Sequence, residues 1–97
     1  MRGSEQAAGM RRLLEDYDNL RAALAWAADT GEAETLGRLT VALLTFWYRR
    51  GLFSEGRQWL ERELAIDGLS VALRVRALGG VGILAAEQIY ASLKAGS

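Results

Sequence analysis

The side chains best suited to chemistry gather in the stretch FWYRRGLFSEGRQWLEREL, residues 46–64. Arg49, Arg50, Arg57 and Arg62 stand there beside Trp47, Tyr48 and Trp59. Guanidinium groups interleaved with aromatic rings could hold phosphates while bases stack on the rings. Three other sets invite the same question. Glu15, Asp16 and Asp18 could hold a divalent ion, Glu61 and Glu63 could share a proton, and GGVG at 79–82 could cradle a phosphate.

Spacing argues against most of this chemistry. Helical positions one and three apart do not all converge, and no calcium-type loop frames the acidic trio. Glu61 and Glu63 are two residues apart, so they point to different sides of a helix. Glu63 lies close to the apolar stripe, where an arginine is the expected partner. GGVG has no Lys-Ser/Thr after it and no strand before it, so it reads as helix packing or a kink. Arg57 has Glu61 four residues on, the spacing of a helical ion pair. The arginines are therefore read as a solvated face or as interface ion pairs. A weak nucleic-acid contact through Arg49, Arg50, Arg57 and Arg62 stands as an alternative.

Composition narrows the choice further. The 97 residues contain no Cys and no His, which removes thiol nucleophiles, imidazole acid–base catalysis and the usual zinc ligands. No catalytic, cofactor-binding or metal-ligating residue is assigned, and the expectation is a protein that is not an enzyme. Twelve basic residues balance twelve acidic ones. Residues 1–34 carry 4 basic and 7 acidic groups, and residues 35–62 carry 5 and 2. That mild asymmetry suits contacts within or between chains better than a polyanion grip. No apolar run reaches the length of a membrane span and no signal peptide precedes the domain, so a cytoplasmic chain is expected. MRGS at the start resembles an expression leader and AGS at the end a cloning scar. Residues 1–9 are read as a flexible leader, 10–94 as one domain and 95–97 as a tail.

The elements that hold these side chains are all helical. Proline is absent, half the residues are hydrophobic, and the apolar positions recur with a period near 3.6. Four helices are predicted, over about 10–28, 32–50, 54–66 and 71–94. Leu13, Tyr17, Leu20, Leu24 and Ala27 form the stripe of the first, with Trp26 on its flank. The second carries Leu36, Leu39, Leu43 and Phe46 or Trp47 on one face, and Val41, Leu44 and Tyr48 on another. Such a helix should be buried on two sides. Gly31, Gly51 and Gly68 mark stops, and Ser54 and Ser70 are candidate N-caps. The third helix presents Gly56, Trp59, Leu60 and Leu64 inward. Trp26, Trp47 and Trp59 are all read as core. The fourth shows Val71, Val75, Leu78, Gly82, Ala85, Ile89 and Leu93 at spacings of three and four, in phase across GGVG. Those glycines are read as a place of close approach.

RRGLFSEGRQWLERELAID resembles the turn and second helix of a tetratricopeptide-type repeat. Gly51 stands at the turn glycine, Phe53 at the aromatic after it, Gly56 at the small contact residue and Leu60 at the large buried one. Trp47 matches a first-helix core position, and in the next segment Gly82 matches the small first-helix residue. More closely, YDNLRAALAWAADTGE, FWYRRGLFSEGRQWLEREL and RALGGVGILAAEQ resemble successive helices of the repeat region in actinobacterial transcriptional regulators of the LuxR and SARP types. The resemblance covers about 13–88. It implies an antiparallel array of helical hairpins used for protein contacts and signal sensing, with no catalytic residues. At Ile89, where the pattern turns, this chain continues its helix.

The end of the fourth helix is apolar and no polar capping segment follows. Helical arrays need such a cap or a neighbour to cover the last face. Leu78, Ala85, Ile89 and Leu93 are therefore candidate interface residues, and a homodimer is the expected assembly. Trp47, Gly51, Gly56, Trp59, Leu60 and Gly82 are the expected packing residues. An engineered or selected helical fragment with no native role of its own is the other reading.

Overall fold

A computed structural model describes residues 2–96 of the chain and the side chains of residues 15–96. Four α-helices make up the fold: α1 (Arg2–Asp29), α2 (Ala33–Arg50), α3 (Phe53–Leu64) and α4 (Val71–Gly96). Among the described residues there is no strand. Helix α1 runs through the expected leader, whose Arg2, Glu5, Gln6, Ala7 and Ala8 are helix-favouring residue types. The Leu13 side chain and Ser97 lie outside the described residues.

Two turns are built alike. Gly31 and Gly51 adopt φ 72° and 71°, the left-handed region that side chains resist. In each, the next residue's N–H reaches back five positions, Glu32 to the Ala27 carbonyl at 2.8 Å and Leu52 to that of Trp47 at 2.9 Å. The last carbonyls of α1 and α2 are satisfied this way. The second turn also corrects the expected start of α3. The Gly56 N–H donates to the Leu52 carbonyl at 3.0 Å, so the first helical bond forms two residues before Ser54. Leu52 is the N-cap, with no side-chain bond, and Ser54 lies inside the helix. Ser70 does cap α4, its hydroxyl accepting the Leu73 N–H at 3.2 Å.

Each helix packs on the next, α2 also touches α4, and α1 also touches α3. Among the described residues α1 and α4 do not meet, so they form the two ends of the stack. Trp47 is the largest fully buried side chain. Its indole N–H donates to the Tyr17 hydroxyl at 2.7 Å, and the Tyr17 and Phe46 rings lie 4.8 Å apart. Leu24, Leu36, Leu60 and Leu84 complete the centre. Burial of each such residue contributes roughly 1.5–3 kcal/mol.

Close helix approach depends on small residues. A Cβ on Gly56 would stand 2.6 Å from Leu84 Cδ1 and 2.9 Å from the Trp47 ring. One on Gly80 would stand 2.9 Å from Leu60 Cδ1. Gly82 is not the contact. It is exposed, with nothing within 4 Å of its Cβ position, because the inward face of α4 carries Ala77, Gly80 and Leu84. GGVG nonetheless lies within one continuous helix.

Candidate interaction surface

Helix α4 has two apolar faces and buries one. Ala77, Gly80 and Leu84 meet α2 and α3, while Val71, Val75, Leu78, Ile89 and Leu93 point away from them. Seven of the ten exposed large apolar side chains among the described residues belong to α4. Three of the four expected interface residues are fully on this face: Leu78 is 56% exposed, Ile89 62% and Leu93 68%. Ala85 is half-buried beside them. The stripe read along the fourth helix is thus its outer surface.

An apolar groove of about 330 Å³ borders this face, lined by Val41, Leu44 and Leu60 on one side and by Gly79, Gly80 and Ile83 on the other. It explains why α2 is not buried on two sides. Val41 and Tyr48 stay exposed and Leu44 half-buried, because α4 leans on α3 and leaves the second face of α2 partly open. The Tyr48 hydroxyl donates across to Glu87 at 3.4 Å. Beyond the other edge of α4, a second depression of about 350 Å³ is lined by Arg57, Gln88, Ile89 and Leu93.

The arginines do not form a common patch. Arg62 pairs with Asp29 at 2.6 Å and lies 5.3 Å from the Trp59 ring centre. Arg57 donates to Gln88 at 2.7 Å and approaches Glu61 at 3.5 Å, while its Nε is sealed without a partner. Arg49 and Arg50 end α2, where positive charge suits the helix dipole, and Arg50 stands 5.8 Å from the Phe46 ring centre. The most fully made ion pair involves a different arginine. Arg21 grips Glu55 with two bonds of 2.7 and 2.8 Å, which holds the Glu55 carboxyl below its usual range. Arg21 also lies 4.5 Å from the Tyr17 ring centre, joining α1 to α3 over the buried Tyr17–Trp47 bond.

The tryptophans divide. Trp47 is core and Trp59 is half-buried, its N–H 3.4 Å from Glu55. Trp26, expected in the core, is 56% exposed because Leu24 and Ala27 take the inward positions of that turn. Glu15, Asp16 and Asp18 lie on the surface, with Asp18 3.4 Å from Arg21. Glu61 is exposed and Glu63 buried, so the two do not meet. Among the described residues no group of three potential ligands could hold a metal ion, and no helix is long and apolar enough to cross a membrane.

No known protein family, curated protein or solved structure matches the chain.

Two packing features escaped the sequence. Glu63 faces inward and takes Thr40 as its partner, at 2.6 Å, in place of the expected arginine. Burial pushes its carboxyl above the ordinary value, and the Thr40 bond opposes that shift. Gly37 makes room for this pair. Its Cβ position lies 2.6 Å from Leu73 and 3.1 Å from Glu63 Oε2. The signal was present as spacing, since Gly37 and Thr40 are three apart on one helix face.

Proposed function

We propose that this chain is a non-catalytic helical interaction module that self-associates as a homodimer through the outer face of α4. The observation that carries this reading is the exposed apolar surface on that one helix, opposite its core-facing residues. A face of this kind on a small soluble domain marks a contact surface. Symmetric pairing is the commonest way to cover it. The tetratricopeptide-like pattern around Gly51, Gly56 and Leu60, and the resemblance to the repeat region of LuxR- and SARP-type regulators, support a role in protein contacts inside a larger regulator.

Light scattering on a size-exclusion column tests the association. At micromolar concentration the mass is expected at twice that of the chain, and a clean monomer would overturn the proposal. The coding sequence around this segment tests the regulator reading. A nucleotide-binding module and a DNA-binding domain in the same parent are expected, and a parent without either would overturn it.

A further inference from the structure

The large apolar residues toward the two ends of the exposed stripe of α4 are placed symmetrically about Gly82. Val75 and Ile89 are each seven positions from Gly82, and Val71 and Leu93 are each eleven. Seven and eleven residues are about two and about three helical turns, so all five side chains share one face. That face is about 33 Å long between Val71 and Leu93. Its middle is low. Gly79 and Gly82 are exposed, and nothing lies within 4 Å of either Cβ position. No packing within the chain requires these two glycines, unlike Gly80.

A two-fold axis perpendicular to a helix reverses its residue order. Pairing about Gly82 therefore sets the end residues level with one another, and in the middle sets Leu78 of one copy level with Ala86 of the other and Ala85 level with Gly79, large beside small. Residues 77–86 carry no charge, so the middle of the face can meet its own copy without burying one.

Resting on the self-association proposed above, we infer that the partner of α4 is α4 of a second copy, packed antiparallel with the two-fold axis at Gly82. Val75 then faces Ile89 of the second copy, Val71 faces Leu93, and Gly82 faces itself.

The absence of cysteine makes the register measurable. Val75→Cys and Ile89→Cys are made as separate single variants, at positions 63% and 62% exposed, where the fold does not depend on the side chain. Circular dichroism checks that helix content is kept. An equimolar mixture of the two, oxidised, is expected to give a mixed disulfide dimer. Each variant alone is expected to give at least tenfold less, because its own thiols would sit ~21 Å apart along the helices, beyond the ~7 Å Cα separation a disulfide tolerates. A chain that is dimeric by mass but cross-links as single variants, or fails to cross-link in the mixture, overturns the register and leaves self-association standing. A chain that is monomeric by mass overturns both.

Discussion

The Thr40 hydroxyl oxygen lies 2.6 Å from Glu63 Oε1 and 3.0 Å from the Gly37 carbonyl oxygen, and both side chains are 1% exposed. A hydroxyl carries one proton, so Thr40 cannot donate to both oxygens. With Glu63 protonated, its carboxyl donates to Thr40 and Thr40 donates to Gly37; with Glu63 ionised, Thr40 donates to the carboxylate instead. Burial favours the protonated arrangement, raising the carboxyl above its ordinary value of 4.5.

That relationship gives a pH dependence with a definite sign. Above pH 4.5 and up to the raised folded value, the folded chain holds a proton that the unfolded chain has lost. This contribution to stability is complete below the unfolded value and declines as pH rises through the folded one. Glu63→Gln keeps the shape and a donor but has no proton to lose. Melting temperatures from roughly pH 4 to pH 8 should fall with rising pH more steeply for the parent chain than for Glu63→Gln. Parallel curves would show that Glu63 plays no part. Thr40→Val, which removes the only partner Glu63 has in the described structure, is expected to cost about 1–3 kcal/mol in urea unfolding.

Two glycines should respond to alanine in opposite ways. Gly56→Ala drives a methyl against Leu84 and the Trp47 ring, neither of which has room to retreat, and should destabilise by about 1–3 kcal/mol. Gly82→Ala meets open space and removes a poor helix former, so it should stabilise the folded monomer by up to ~1 kcal/mol. The same change crowds the centre of the proposed dimer. Thermal melts at low concentration and mass measurements at high concentration separate the two effects.

Tyr17→Phe keeps the ring against Phe46 and removes the acceptor of the Trp47 N–H. An indole donor left unpaired in the core should cost about 1–3 kcal/mol. Chemical denaturation followed by tryptophan fluorescence reads it directly, and an unchanged midpoint would show that the bond contributes nothing.

Ile89→Glu places a charge on the outer face of α4 without touching the core. The folded monomer should keep its melting temperature within about 0.5 kcal/mol of stability, while the dimer fraction at fixed concentration drops at least tenfold. Arg62→Ala serves as the contrast. Its pair with Asp29 lies within the chain and is largely exposed, so its loss should cost no more than ~1 kcal/mol and leave association unchanged.

Local chemistry alone determined the four helices and the glycines of their three turns. Leu, Ala, Arg and Glu favour helix, proline is absent, and Gly31, Gly51 and Gly68 stand where the backbone turns left-handed. Those are properties of single residues and their neighbours, so they can be read along the chain. Trp47, Leu60 and Gly56 were legible as packing residues for the same reason. The tertiary structure alone decided which face of α4 turns inward. Both of its faces are apolar or small, and a period of 3.6 describes either one equally well. The choice falls to Ala77, Gly80 and Leu84 because Gly80 lets Leu60 approach and Leu84 fits over Gly56 and Trp47. Those fits join residues of separate helices. The same holds for Glu63, which turns inward because Gly37 and Thr40 of another helix leave it space and a partner. The stripe from Val71 to Leu93 was visible from the start, and only packing showed that it faces out.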